Sequence, residues 1–176
     1  LWQVRKRVSR GSIRCQAFGL DLVVPSSSGS LSNLMYFGEY FEWGNISFIR
    51  NYLRPGDAVI DAGGNVGMFT YAVAQVTAPD GPIHVFEPMA WAAHVIDPTV
   101  ERNHLNGRVF VHQVAVTDRN GVAHFATDLD VSSHIELVTG ASSSRLSVEV
   151  ETAALDDAVP AGPIAGQNRW MRRRSG

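Results

Sequence analysis

Apolar positions along the chain change period several times, and each change predicts an element. Residues 12–24 (SIRCQAFGLDLVV) alternate loosely and break at Gly19-Leu20-Asp21, the pattern of a short β-hairpin. Pro25 and the Ser/Gly run over 26–33 predict a loop. From Glu39 to Leu53 the residues Phe41, Trp43, Ile46, Phe48, Ile49, Tyr52 and Leu53 include three- and four-residue steps. They predict a helix over about 45–53, capped by Asn45 and stopped before Pro55-Gly56.

The next stretch is the most regular. Ala58-Val59-Ile60 reads as a short apolar strand ending at Asp61, and Ala62-Gly63-Gly64-Asn65-Val66-Gly67 as a glycine-rich turn. Met68–Val76 reads as a helix with a buried face, Pro79-Asp80-Gly81 as a turn, and Ile83–Phe86 as a second strand closed by Glu87-Pro88. A second helix is expected from Trp91 to Leu105, with Asn106-Gly107 supplying the left-handed residues that end it. A third strand begins at Val109 and is extended to about Val116. Strand and helix alternate as β-α-β-α-β, which requires a parallel sheet with right-handed crossovers.

Beyond it the rhythm changes. Asp118-Arg119-Asn120-Gly121 reads as a hairpin turn leading to a strand over Val122–Phe125. A polar loop is expected over 127–144, an alternating strand over Leu146–Thr152 and a short helix from Leu155. From Ala161 onward no period is evident.

At 176 residues, 45% apolar and 18% charged, the chain has the composition of one globular domain rather than of a disordered polymer. One cysteine, Cys15, excludes an internal disulfide framework. No apolar run approaches the ~18 residues of a membrane helix. The chain opens at Leu1, and no charged segment leads into an apolar one as in a secretory leader, so a fragment of a cytoplasmic protein is expected. The net charge of −2 is unevenly spread: residues 1–14 hold five basic side chains, residues 169–174 hold four arginines, and all 17 acids lie between. Basic ends can meet nucleic acid or anionic lipid, but solvated ends are the simpler reading, and nothing else resembles a nucleic-acid module.

The candidate chemistry lies in the turn after the first parallel strand. Ligands of open parallel sheets bind beyond the carboxyl ends of the strands, where helix N-termini present N–H groups. Glu87 follows Gly67 by 20 residues, the offset at which an acid meets ribose hydroxyls, so an adenosine-containing cofactor is expected. A dinucleotide fingerprint needs glycine at 62, 64 and 67, and position 62 is Ala. The frame D-x-G-x-N-x-G fits through Asp61, Gly63, Asn65 and Gly67. A carboxylate there repels a pyrophosphate at low effective dielectric and favours an ammonium group. S-adenosylmethionine has that ammonium and no phosphate. An NAD-dependent oxidoreductase and a turn serving packing alone remain the alternatives. The histidines at 84, 94, 104, 112, 124 and 134 show no zinc-ligand spacing.

Residues 55–69 (PGDAVIDAGGNVGMF) resemble the first motif of the FkbM family of S-adenosylmethionine-dependent methyltransferases. Phe86-Glu87-Pro88, Asn103-His104-Leu105-Asn106-Gly107 and residues 115–121 (AVTDRNG) resemble its later landmarks in the same order, over roughly 36–159. The resemblance implies a partial Rossmann-like class I methyltransferase fold: a central parallel sheet flanked by helices, with an antiparallel hairpin added. It implies methylation of a hydroxyl on a sugar, polyketide or similar metabolite; from the charge pattern, no nucleic acid is expected as partner. Asp61, Gly63, Asn65 and Gly67 would line the methionine end of the cofactor, and Gly64 is counted with them as cofactor-binding. Glu87 would accept from the ribose hydroxyls, Pro88 after it is counted as cofactor-binding, and Gln113 to Thr117, Ala115 among them, would border the adenine. Gly64 stands where the family usually has Ala, a change expected to be harmless or loosening. The family's next core strand is missing after Leu155-Asp156-Asp157, as a truncation or frameshift near residue 164 would produce. The chain then divides into a basic lead and hairpin (1–38), a partial cofactor-binding domain (39–160) and a basic tail (161–176) expected to be disordered. The first strand should lack a neighbour on one side, and a non-catalytic remnant that binds cofactor or a partner stays open as a reading.

Overall fold

The computed structural model describes residues 11–25, 43–126 and 147–159. The loop expected over 127–144, the aromatic Phe41 and the tail from residue 161 lie outside them. Strands β1 (Ser12–Ala17) and β2 (Leu20–Pro25) pair antiparallel, with Ala17 opposite Leu20. The turn is Phe18-Gly19, one residue earlier than the sequence break, with φ of 53° and 69° at its two positions. Two successive positive φ values make a primed turn, which suits the twist of a two-residue hairpin.

Helix α1 (Trp43–Tyr52) begins two residues before the expected start, so Asn45 lies within it rather than capping it. Strand β3 (Val59–Ala62), helix α2 (Met68–Val76), strand β4 (Ile83–Phe86), helix α3 (Ala90–Arg102) and strand β5 (Val109–His112) form the expected unit, a parallel sheet in the order β3-β4-β5. Residues alternate between its two faces. Ile83 and Val85 are buried together with Tyr71 and Val73 of α2, Ile96 and Val100 of α3, and Ile46 of α1. Leu22 and Val24 of the hairpin join the same core. The opposite face carries Ile60, His84, Phe86, Phe110 and His112. Among the described residues β3 pairs on one side only, as expected, and Ile60 is 40% exposed.

Helix α3 stops three residues before the expected Leu105. Its end is a Schellman motif: the amide of Leu105 donates to Val100 O at 2.9 Å and that of His104 to Glu101 O at 3.2 Å. The left-handed residue that ends the helix is therefore His104, with φ of 54°, and not Asn106, although Gly107 is left-handed as expected, with φ of 83°. Leu105 and Val100 are both buried, the apolar contact that accompanies such an end.

Asn103, which the sequence offered only as a landmark, docks the hairpin. Its Oδ1 accepts from the Asp21 amide at 2.9 Å, and its Nδ2 donates to Asp21 O at 3.0 Å and Thr99 O at 2.7 Å. Asn103→Ala leaves the Asp21 backbone groups half-buried without these partners. It is expected to lower the unfolding free energy by about 2–3 kcal/mol, read from urea denaturation; a midpoint like the parent's would show that the hairpin is held by apolar contacts alone.

The third strand is not continuous to Val116. It ends at His112, and β6 (Ala115–Thr117) starts a second sheet with β7 (Gly121–Ala126) and β8 (Ser147–Ala154), followed by the short helix α4 (Leu155–Ala158). The order is β6-β8-β7, so residues 118–121 do not pair the strands they join. Instead β8 lies between, with Thr152 opposite both Ala115 and Gly121. Packing explains the break: Ala115, Phe125 and Val150 form a small core of their own, against which Met89 rests.

Candidate functional site

The turn between β3 and α2 sits against the carboxyl end of β4, and four of its backbone donors are committed to the protein. The amides of Gly63 and Gly64 donate to Phe86 O at 2.8 and 3.1 Å, and that of Gly67 to Gly64 O at 2.8 Å. The Asn65 amide donates to Glu87 Oε2 at 2.8 Å, while Glu87 Oε1 accepts from the Met89 amide at 2.8 Å. Glu87 is thus 6% exposed with an amide on each oxygen, leaving each oxygen capacity for a further donor. Burial pushes its pKa up, opposed by those two amides.

Positive φ at Gly63, Asn65 and Gly67 gives the turn its shape. At Gly67 the need is steric as well, since a Cβ would lie 2.7 Å from Tyr71 Cζ. At Gly64 a Cβ would lie 2.2 Å from Val85 Cγ1. The space that an alanine methyl would take is therefore filled by Val85, which fits the harmless rather than the loosening side of the expectation for glycine there.

A cavity of about 340 Å³ opens beside this turn, within the usual size range of small-molecule sites. Gly63, Asn65, Glu87, Pro88 and Ala115 line it, five of the eight residues singled out from the sequence. Asp61, Gly64 and Gly67 are outside its lining. The Asp61 carboxylate turns to the start of α2, where the Thr70 hydroxyl donates to Oδ2. Burial pushes its pKa up, and the bonds from Thr70 oppose the rise.

Sequence reading missed Phe86, Met89, Trp91 and Phe125, the large apolar side chains of a wall that also holds Ala62, Ala92 and Val116. Phe86, Met89 and Trp91 surround the Glu87-Pro88 landmark, so their neighbourhood was a signal. Phe125 was not traceable, because β7 reaches the cavity only through its pairing with β8.

A buried acid, a tight glycine turn and an apolar slot thus meet at the carboxyl ends of parallel strands, the place where open α/β sheets bind ligands. No protein-family model matches the chain. It is 40% identical over 70 residues to the 31-O-demethyl-FK506 methyltransferase FkbM of Streptomyces tacrolimicus, a match covering 40% of this chain and 26% of that protein. The likeness read from the motifs is thus borne out in sequence, and the matched stretch spans about a quarter of the length of that curated relative. Among solved structures, the FkbM methyltransferase of Methylobacillus flagellatus KT is 15% identical over 68% of this chain and 26% of its own, with a TM-score of 0.43. The complex of aTrm5 and tRNALeu is 15% identical over 66% of this chain and 40% of its own, with a TM-score of 0.45. No helix among the described residues is long and apolar enough to cross a membrane.

Proposed function

We propose that the cavity binds S-adenosylmethionine and that the protein of which this chain is a part transfers its methyl group to a hydroxyl oxygen of a small metabolite, polyketide or sugar in the cytoplasm. The observation that carries the reading is the commitment of four of the turn's amides. Those of Gly63, Gly64, Asn65 and Gly67 all face protein acceptors, whereas a diphosphate site needs such groups free. Two carboxylates, Asp61 and Glu87, flank the turn as well, which disfavours a second anion and suits a cation. S-adenosylmethionine supplies an activated methyl on a sulfonium when bound. Glu87 holds the ribose hydroxyls with its remaining acceptor capacity, and Met89, Ala115 and Phe125 offer the base an apolar slot. Gly63 and Asn65 border the methionine end, with the Asp61 charge behind them.

Calorimetry with S-adenosylmethionine and with NAD tests the cofactor. Binding of the former and none of the latter is expected; the reverse would establish the oxidoreductase reading. Turnover tests the activity: cofactor binding without methylation of any hydroxyl acceptor, or methylation of RNA instead, would replace that half of the proposal. Asp61→Asn separates charge from packing. Removing a poorly solvated carboxylate is expected to raise the melting temperature of the free protein while weakening S-adenosylmethionine binding by about tenfold, roughly 1.4 kcal/mol. Unchanged affinity would remove Asp61 from the site.

A further inference from the structure

Two histidines lie together on the outer face of the β3-β4-β5 sheet, next to the cavity and unused by the reading above. His84 of β4 and His112 of β5 are diagonal neighbours, because His84 is opposite Phe110 and Phe86 opposite His112. Nδ1 of His84 and Nε2 of His112 are 2.9 Å apart. Such a contact needs a proton on one nitrogen and a lone pair on the other, so it persists while at least one ring is neutral and becomes a repulsion when both are charged. His84 also stacks on Phe110, with centroids 5.1 Å apart. His112 stacks on Phe86 with centroids at 4.6 Å. Phe86 lines the cavity, and its carbonyl receives the amides of Gly63 and Gly64. The backbone repeats the link, since the Glu87 amide donates to His112 O at 3.0 Å.

We propose that His112, held in place by His84, is a positioning residue for Phe86 and Glu87, and that the shared hydrogen bond makes cofactor affinity depend on a proton. The pair has no charged side chain beside it on its own face of the sheet among the described residues. There β3 presents Ile60 and Ala62, β4 presents Phe86 and β5 presents Phe110; Asp61 points to the opposite face and Glu87 lies past the end of β4. Burial holds both imidazoles below the ordinary histidine value, and His112 lowers His84 further. The sign follows: the contribution of the pair is complete above the unfolded value near 6.5 and is lost as pH falls through the depressed folded values.

The proposal rests on the S-adenosylmethionine reading of the cavity, and its test keeps the two apart. Affinity for S-adenosylmethionine is measured at pH 7.5 and 5.5 in the parent and in the double variant His84→Phe/His112→Phe, whose phenyl rings preserve the stacking. The parent is expected to lose affinity at acid pH by roughly fivefold more than the variant, at the low end of coupling between linked sites. Any decline common to both belongs to Glu87 and other carboxylates, and parallel profiles overturn the proposal. Imidazole nitrogen shifts are followed over the same range without cofactor, together with the Glu87 amide. Should neither protein bind S-adenosylmethionine at any pH, the cofactor reading fails while this titration still decides the positioning role: a Glu87 amide that tracks the paired imidazoles sustains it, and one that ignores them ends it.

Discussion

Glu87→Ala is expected to cost the protein much of its stability along with its cofactor. The carboxylate is buried beneath the turn, and its two oxygens receive the amides of Asn65 and Met89, both at 2.8 Å. Hydrogen bonds to charged groups contribute about 1.5–3 kcal/mol each, and a donor left buried without a partner costs a similar amount. Alanine removes both acceptors, so a loss of about 3–5 kcal/mol is expected, against a total of about 5–15 kcal/mol for an ordinary domain. The same change removes the proposed ribose acceptor and lets Asn65 move, so affinity for S-adenosylmethionine should fall by at least about a hundredfold, roughly 2.7 kcal/mol.

Glu87→Gln keeps the variant measurable if alanine unfolds the chain. Its single carbonyl oxygen can serve one amide, while its NH₂ group meets the other donor head-on. The expected stability lies between parent and alanine variant, read from urea midpoints by circular dichroism. If glutamine matches the parent in both stability and affinity, the charge on Glu87 has no part in holding turn or ligand.

The parallel unit was legible because its strands are buried runs punctuated by glycine and proline, signals that act within a few residues. Ile83–Phe86 is buried throughout and was placed to the residue. The second sheet was not legible in the same way. Its order β6-β8-β7 depends on a strand that arrives some thirty residues after β6, and no local pattern says that β8 will enter between β6 and β7. Helix ends fell between these cases. The stop of α3 is set by His104 adopting a left-handed conformation while Asn103 turns to the hairpin, a tertiary demand that ends the helix ahead of Gly107, which is left-handed as well.

The candidate site divides along the same line. Gly63, Asn65 and Glu87 sit at strand ends, where chain direction alone places them together. Phe125 and Trp91 come from a distant strand and from the first turn of a helix, and only packing brings them to one wall. Asp61 shows the opposite outcome. Its position at the end of β3 was evident, but the direction of its side chain depended on Thr70 of α2, which draws the carboxylate toward the helix start.

Gly64→Ala carries the other large effect, and there the sequence and the structure disagree on what a methyl group does. In the FkbM-family motif that the turn resembles, alanine at this position is usual. In this chain a Cβ would stand 2.2 Å from Val85 Cγ1 and 3.6 Å from Asp61 Oδ2. Val85 cannot swing aside at little cost, because it is fully buried and its strand is paired on both sides by β3 and β5. Relief must come from the turn, which carries Gly63 and Asn65 away from the cavity. Overpacking of this kind costs about 1–3 kcal/mol, and the displaced turn should weaken S-adenosylmethionine binding in parallel. Val85→Ala opens the space and by itself is destabilising, as a buried large-to-small change must be, by about 2 kcal/mol. Combined, the two should cooperate, because the methyl added at position 64 enters the space that the shortened side chain at position 85 vacates. The double variant Gly64→Ala/Val85→Ala is therefore expected to be more stable than addition of the single changes predicts, with a coupling of about 1–2 kcal/mol. Simple additivity in the urea midpoints would mean that the turn yields elsewhere and that Val85 does not fix the residue at position 64.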